Sequence, residues 1–325
     1  MLKLFKWVFG LGLLVSTIAY ADGLSEQADV RTFIQKMVTE YHFNQNSLNT
    51  LFDQINFDPR VVKLMGRQYE AKPWYQYKPA FVNPQRIKQG IAFSLQQHTL
   101  LQKIQQQFNV NSEIVVATVG IETNYGRDKG SFNTLNTLTT LAFDYPKRAA
   151  FFQNELKEYL LFTRENHIDP QSIKGSYAGA MGYGQFMPSN YRAYGVDITG
   201  DHQVDLVNNL ADALASTANY YHQSGWLLNA PVIILANVSK NAKPENYIVI
   251  HKETYTLAEL AKAGITPQSG HYPMNTKVGL IPLESTAGVT EYWIAFHNFY
   301  VIKRYNPSDK YAMAIYTLSQ AITPP

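Results

Sequence analysis

The sequence predicts an α+β protein that is mainly helical and carries a small inserted β module. Apolar residues recur at helical spacing through much of the chain up to residue 226. From about Leu227 to Phe296 the pattern changes to short runs rich in β-branched residues, which predict strands. With 46% hydrophobic and 16% charged residues, the chain has enough apolar material for a large folded core.

The first 21 residues have the organisation of a secretory signal peptide. Lys3 and Lys6 precede an apolar stretch over residues 7–18, and Ala19-Tyr20-Ala21 supplies the small residues of a cleavage site. The stretch is too short to span a bilayer comfortably, and no later segment is long and apolar enough. We therefore expect cleavage after Ala21 and a soluble periplasmic protein without a membrane span.

Charge and cysteine content exclude several classes of protein. The formal net charge of +3 falls to +1 without the two leader lysines, because residues 1–21 contain no acid. A nearly neutral protein lacks the basic excess typical of nucleic-acid binding. The chain has no cysteine. It therefore forms no disulfide and offers no thiol for lipid attachment at a processed N-terminus.

Residues 22–74 are predicted to be an accessory helical region and residues 75–226 a mostly helical core. Apolar residues at helical spacing mark the accessory region: Val30, Phe33, Ile34, Met37 and Val38. In the core, one helix is expected over Gln85–Phe108. A second amphipathic helix runs through Leu210 and Tyr221, and Gly225 is placed to end it.

The β module is predicted to span residues 227–296. Its expected strands start at Pro231, Tyr247 and Lys277, and a short helix is expected over Thr256–Ala263. Residues 297–325 are predicted to return to the core, with a helix over Ser308–Ile322.

Residues 111–126 place an acid near the end of a predicted helix. Asn111 or Ser112 is a suitable N-cap and Gly126 a suitable stop, although the β-branched run between them would also suit a strand. Glu122 lies in the last turn of that helix, on a largely apolar face. Burial and the negative end of the helix dipole both raise the pKa of such a carboxyl, as a general acid requires. A solvated surface glutamate is the alternative.

A glycine-rich segment follows at residues 175–191. Its four glycines allow the backbone to approach a ligand closely, and Gln185 can bind sugar hydroxyls and acetamido groups. No Walker lysine, G-x-G-x-x-G motif or G-x-S-x-G elbow accompanies it. A sugar ligand is therefore better supported than a phosphate or a serine nucleophile.

These segments resemble the B-type lytic murein transglycosylases, glycoside hydrolase family 103. The likeness covers most of the chain after residue 21 and includes these motifs: Ile121-Glu-Thr-Asn-Tyr-Gly, Leu141-Ala-Phe-Asp-Tyr-Pro-Lys-Arg, Gly175 to Tyr191, and Asn298-Phe-Tyr-Val-Ile-Lys-Arg-Tyr-Asn. The resemblance implies a lysozyme-like catalytic core with an accessory helical region and a small β module.

The resemblance also implies roles for matching residues. Glu122 falls on the single catalytic acid of the family. Polar and aromatic positions of the substrate groove fall on Ser176, Gln185, Tyr77, Tyr220, Tyr305, Asn306 and Tyr311. Lys147 and Arg148 match a basic pair that could meet the peptide stems or carboxylates of the substrate.

Residues 197–208 resemble a divergent EF-hand loop. His202 replaces the usual glycine and Asn208 the usual glutamate, while the family's later acid matches Asp212. The expected calcium ligands are Asp197, Thr199, Asp201, Gln203 and Asp212. Any such calcium would be structural, because cleavage by a carboxylic acid requires no cofactor. A solvated acidic loop is the alternative.

The sequence therefore predicts a lytic transglycosylase that cleaves the β-1,4 bond between N-acetylmuramic acid and N-acetylglucosamine and forms 1,6-anhydromuramyl products. Its expected partners are peptidoglycan glycan strands and, further, cell-wall synthesis complexes. A hydrolytic muramidase and a non-catalytic peptidoglycan-binding protein remain as alternatives. A calcium-sensing module is disfavoured by the defective loop.

Overall fold

The computed structural model describes residues 23–66 and 72–323. The signal peptide expected over residues 1–21 lies outside the described residues. The chain divides into two compact units, one ending at Ile55 and the other beginning at Asn56. No helix among the described residues is long and apolar enough to cross a membrane. The domain boundaries drawn from the sequence stay a prediction.

The first unit contains two helices, α1 (Ala28–Tyr41) and α2 (Gln45–Asp53). The buried residues of α1 are Val30, Phe33, Ile34 and Met37. Phe33 contacts Phe52 of α2, with ring centroids 6.0 Å apart. The helical periodicity expected for this region is confirmed.

Helices form most of the second unit up to residue 226. They are α3 (Pro59–Met65), α4 (Trp74–Phe81), α5 (Pro84–Gln96), α6 (His98–Phe108), α7 (Ser112–Thr123), α8 (Thr134–Phe143), α9 (Ala149–Glu165), α10 (Pro188–Tyr194) and α11 (Leu210–Gln223). Two short strands, β1 (Phe132–Asn133) and β2 (Lys174–Gly175), pair antiparallel between them.

One expectation for these helices was wrong. The single helix expected over Gln85–Phe108 is divided into α5 and α6 at Gln97, whose backbone angles (φ −101°, ψ 13°) leave the helical region. Apolar residues continue across the junction, so their spacing alone did not reveal the break.

The β module is a five-stranded antiparallel sheet with the order β4-β6-β7-β3-β5. The strands are β3 (Ile233–Val238), β4 (Tyr255–Thr256), β5 (Ile265–Pro267), β6 (Lys277–Thr286) and β7 (Val289–Ala295). The short helix α12 (Leu257–Lys262) buries Leu257 and Leu260 in a cluster with Leu280 of β6 and Ile294 of β7. The expected strands at Pro231 and Lys277 and the expected helix are confirmed.

The strand expected at Tyr247 was wrong. Tyr247 ends a 3-10 turn, and Ile248 makes only an isolated bridge to Leu280. The backbone of this expected strand pairs with β6 only at this point, where Val249 N–H donates to the Leu280 oxygen (3.2 Å), and Ile250 beyond it is 57% exposed.

Two helices return the chain to the core, α13 (His297–Tyr305) and α14 (Asp309–Ile322). The Ser308 side chain caps α14, and the helix expected over Ser308–Ile322 is confirmed. The buried side chain of Asn298 accepts from Leu227 N–H and donates to the Leu227 and Ala230 carbonyl oxygens. These bonds join the entry and exit of the β module.

Candidate active site

Glu122 lies in the last turn of α7, whose residues from Ile114 to Ile121 are all buried. The helix ends at Thr123, because Asn124 adopts a left-handed conformation (φ 50°) and donates from its N–H to the Gly120 oxygen. The expectation of a helix over this segment is confirmed. The helix ends earlier than expected from Gly126.

The Glu122 carboxyl group is buried, while the residue as a whole is half-buried and keeps some exposed surface. The Tyr311 hydroxyl donates to Glu122 Oε1 over 2.5 Å. Burial raises the pKa of Glu122 to about 7, and the hydrogen bond from Tyr311 opposes this with a smaller effect. Glu122 is therefore partly protonated at neutral pH and can donate a proton.

Aromatic rings surround this carboxyl group. Tyr305 stacks on Tyr311 and on Tyr221, with ring centroids 6.5 and 5.7 Å apart. Tyr220 and Phe186 also pack against Tyr305, with ring centroids 4.8 and 5.6 Å from that of Tyr305. We call these five residues the aromatic cluster. It joins α11, α13, α14 and the glycine-rich segment beside α7.

Burial and the negative charge of Glu122 raise the pKa values of Tyr305 and Tyr311 well above the ordinary value for tyrosine. Both phenols therefore stay neutral donors near Glu122. Tyr221, which shares a 2.8 Å hydrogen bond with Thr118, and Phe186 were missed by the sequence reasoning. Their only signal was their position next to matched residues.

The glycine-rich segment is fixed against the end of α7. The Thr123 hydroxyl donates to the Tyr183 oxygen (2.9 Å) and accepts from Gly126 N–H (3.0 Å). A Cβ atom on Gly184 would lie 2.9 Å from the Tyr305 hydroxyl oxygen, which itself donates to the Gly184 oxygen. Only glycine fits this close approach, which places the segment, Tyr305 and Glu122 in one site.

Ser176 and Gln185 both hold the glycine-rich segment in shape. Ser176 Oγ accepts from the N–H groups of Ala178 (3.2 Å) and Ala180 (3.1 Å). Gln185 Nε2 donates to the Gly182 (2.9 Å) and Lys129 (3.2 Å) oxygens. Among the described residues, nothing donates to Gln185 Oε1 or accepts the Ser176 hydroxyl hydrogen, which leaves one polar group on each for a ligand.

The tyrosines assigned to the substrate groove differ in exposure. Tyr77, Tyr220 and Tyr311 are buried, with 1%, 6% and 4% of their surface exposed. Tyr77 stacks on Phe81, with ring centroids 4.6 Å apart. Tyr305 and Asn306 are half-buried. Direct substrate contact by these residues stays a prediction.

Lys147 and Arg148 are exposed in a 3-10 turn before α9. The Arg148 guanidinium lies 4.0 Å from the ring centroid of Phe151. No described hydrogen bond or ring contact links either residue to Glu122 or the aromatic cluster, so the structure does not bring the basic pair to the acid.

The EF-hand-like loop gathers its acids around backbone N–H groups. Asp197 accepts from Gly200 N–H (2.6 Å) and His202 N–H (2.8 Å), and His202 takes the left-handed conformation (φ 67°) that glycine usually supplies. Buried Asp212 accepts from Ile198 N–H and Asp205 N–H, both at 3.1 Å. Carboxylate oxygens of this kind are the ligands that calcium prefers.

Burial raises the pKa of Asp212, and the charges of Asp197 and Asp201 add to this effect. The three carboxylates are therefore close enough to repel one another. In the described parts of the chain, however, no three acidic or histidine side chains are positioned to share one metal ion.

Comparisons with known proteins find relatives that match most of this chain. A family model described as the transglycosylase SLT domain matches residues 25–320. The membrane-bound lytic murein transglycosylase B of Escherichia coli K12 is 37% identical over 306 residues, which cover 90% of this chain and 82% of the relative.

Solved structures of lytic transglycosylases are similar to this chain as well. Soluble lytic transglycosylase SltB1 of Pseudomonas aeruginosa matches with a TM-score of 0.84 and 38% identity, covering 90% of this chain and 97% of that one. Escherichia coli Slt35, solved in complex with calcium, matches with a TM-score of 0.84 and 37% identity. The match covers 92% of this chain and 94% of Slt35. The predicted fold class, including a lysozyme-like core, is confirmed by these matches.

Proposed function

Because the chain belongs to the SLT-domain family of lytic murein transglycosylases, we propose that it cleaves peptidoglycan glycan strands with Glu122 as the catalytic acid and base. The bond cleaved is the β-1,4 linkage between N-acetylmuramic acid and N-acetylglucosamine. One observation carries the assignment. Glu122 is a half-buried residue beside the aromatic cluster, and burial of its carboxyl group raises its pKa to about 7.

In the first step protonated Glu122 gives its proton to the glycosidic oxygen as the bond to C1 breaks. N-acetylglucosamine leaves with that proton. The acetamido group of the muramyl residue meets the positive charge that develops at C1. A group whose pKa lies near neutrality is suited to this proton transfer.

In the second step the Glu122 carboxylate takes the proton of the muramyl C6 hydroxyl, and O6 bonds to C1 to close the 1,6-anhydro ring. Glu122 is then protonated again, so no water is consumed. Most glycosidases need a second carboxylate, but the motifs shared with the family match a single catalytic acid, Glu122. An attacking group within the substrate removes that need and gains from effective concentration.

The test is muropeptide release from purified sacculi by Glu122→Gln, with Asp144→Asn as the matched control. Asp144 is an exposed acid after α8 and the nearest acid in a family motif. Glu122→Gln should lower release by at least about 100-fold, whereas Asp144→Asn should release muropeptides normally. Substantial turnover by Glu122→Gln would overturn the assignment.

Mass spectrometry of the products separates the alternatives. Anhydromuramyl ends support the transglycosylase, whereas reducing ends would indicate a hydrolytic muramidase. A protein that binds sacculi and releases nothing would be a non-catalytic wall-binding protein.

Substrate contacts form the next part of the proposal. The hydroxyl hydrogen of Ser176 and the side-chain oxygen of Gln185 bind sugar hydroxyl or acetamido groups. Half-buried Tyr305 and Asn306 contact the glycan, while buried Tyr77, Tyr220 and Tyr311 support the groove from behind. The exposed basic pair, Lys147 and Arg148, meets carboxylates of the peptide stems away from the acid.

We propose a structural calcium at residues 197–212, because Slt35 was solved in complex with calcium and because Asp197 and Asp201 are close enough to Asp212 to raise its pKa. Since no three acids of the described residues are positioned to share one ion, binding of calcium would have to draw them together. Thr199 and Gln203 complete the proposed ligand set. Calcium should raise the melting temperature relative to a chelator, and Asp197→Asn should remove this response. Activity should persist in chelator, because the ion takes no part in the reaction. Equal melting temperatures would contradict the site.

We place the protein in the periplasm, where peptidoglycan is accessible. The signal-like pattern of residues 1–21 supports export. The absence of cysteine argues against lipid attachment, in contrast to the membrane-bound relative. Association with cell-wall synthesis complexes is a further part of this proposal, and fractionation of cells with co-purification would test both.

A further inference from the structure

A second cavity lies between the β module and the core helices α7 and α14. Its volume is about 580 Å³, which is in the range of small-ligand sites. We call it the distal pocket. We propose that it is a second saccharide-binding site, which takes a neutral N-acetylglucosamine unit of the glycan. The proposal rests on the proposed function, because the ligand belongs to the same polymer.

Three half-buried aromatic rings line the distal pocket: Tyr272, Trp293 and Tyr316. Aromatic rings provide flat apolar surface for the C–H faces of sugars, and tyrosine and tryptophan add a polar atom. The indole Nε1 of Trp293 is buried and has no hydrogen-bond partner among the described residues. A buried donor left unpaired costs free energy, which a ligand oxygen, reached by a small movement of the ring, would recover.

The polar residues of the pocket suit a neutral ligand. Gln268, Ser269 and Gln320 are exposed at its rim, and no described hydrogen bond uses their side chains. Side-chain amides donate and accept, as binding to hydroxyl and acetamido groups requires. Among the described residues that line the pocket, Glu113 alone is charged. Without a cation, the pocket does not attract the carboxylates of peptide stems.

The distal pocket is separate from the catalytic acid. Glu122 meets Tyr311 at one end of the α7–α14 pair, while Glu113 and Gln320 line the pocket at the other end. Glu113 and Glu122 are nine residues apart on α7, which corresponds to about 13.5 Å along a helix axis. The pocket therefore holds a part of the polymer remote from the bond that is cleaved, and two attachment points raise retention on an insoluble substrate.

The test is co-sedimentation with purified sacculi in the Glu122→Gln background. Tyr316→Ala combined with Gln320→Ala should weaken binding by about 3- to 10-fold, the effect of losing one aromatic contact. Tyr255→Ala with Asn275→Ala is the matched control, because both residues belong to the β module and do not line the pocket. Trp293→Phe, which keeps a ring and removes the N–H, should also weaken binding.

A second measurement uses variants that retain Glu122. Tyr316→Ala with Gln320→Ala should lower release from sacculi and leave cleavage of short soluble glycan fragments unchanged. Unchanged sacculus binding by both pocket variants would overturn the proposal. If the parent enzyme cleaved neither substrate, the proposed function would fail, and the binding measurement would still decide the role of the pocket.

Discussion

Two glutamates in the core carry raised pKa values but have very different surroundings. Glu155 of α9 is 2% exposed, and Ser189 donates to both of its oxygens, from N–H at 2.9 Å and from the hydroxyl at 2.7 Å. Glu122 receives one described donor, from Tyr311, and stays accessible to solvent. Burial is the main cause of the raised pKa in both.

The difference teaches what separates a structural acid from a catalytic one. Both oxygens of Glu155 are occupied by the end of another segment, so the group fixes the start of α10. The described donor to Glu122 meets Oε1, so Oε2 receives no described donor, and the pKa of the carboxyl suits proton exchange in both directions. A raised pKa alone does not identify a catalytic carboxyl; an open oxygen is needed as well.

The largest effect on stability is expected from Ser189→Ala. It removes a hydroxyl donor from a carboxyl that water does not reach, and this should cost about 1–3 kcal/mol in the free energy of unfolding. Tyr311→Phe is the matched change at Glu122 and should cost less, because water can replace the lost donor. Urea denaturation of both variants measures the difference. Equal losses would remove the distinction between the two acids.

A smaller effect, of about 1–2 kcal/mol, is expected from Glu122→Gln at pH 8. The folded-state pKa of Glu122 is about 7, above its ordinary value of 4.5. The stabilising contribution of the protonated group is therefore complete below pH 4.5 and is lost as the pH rises through 7. The variant should lack this loss, so its stability relative to the parent should be greater at pH 8 than at pH 5. The reverse order would contradict the raised pKa.

The smallest expected effect is a shift of the pH profile by Tyr311→Phe. Activity should fall as the pH rises through about 7, because the acid must be protonated. The hydrogen bond from Tyr311 favours the charged carboxylate. Its removal should therefore move this limb to higher pH, by about one unit or less. A shift to lower pH would show that the hydroxyl favours the protonated acid instead.

The sequence predicted local features better than long-range ones. The helix that carries Glu122, the helix of the β module and the strand at Lys277 could be found because short-range periodicity and caps define them. The bond from Tyr311 to Glu122 joins residues 189 positions apart, and no local pattern reports such a contact. The resemblance supplied Tyr311, but only the structure gave its hydrogen bond to the acid.

The predictions of secondary structure that were wrong also depended on contacts that the local sequence does not report. The apolar run after Tyr247 has strand-forming composition, but it bridges β6 only at Ile248 and is exposed by Ile250. The break at Gln97 reflects two helices that lie in one continuous apolar pattern. The structure shows that the rings of Tyr77 and Tyr220 are buried, which residue type did not indicate, and their contact with a substrate stays a prediction.

The hydrogen bonds of the Asn298 side chain tie the two ends of the β module to each other. They hold together the segment that enters the module, soon after Tyr221, and the segment that leaves it, shortly before Tyr305. Those rings stack 5.7 Å apart beside Glu122. Both ends of the module are therefore held beside the segments that carry two rings of the aromatic cluster. We expect a shorter linker in place of the sheet to preserve activity only if it holds the two ends of the insertion at the same distance from each other.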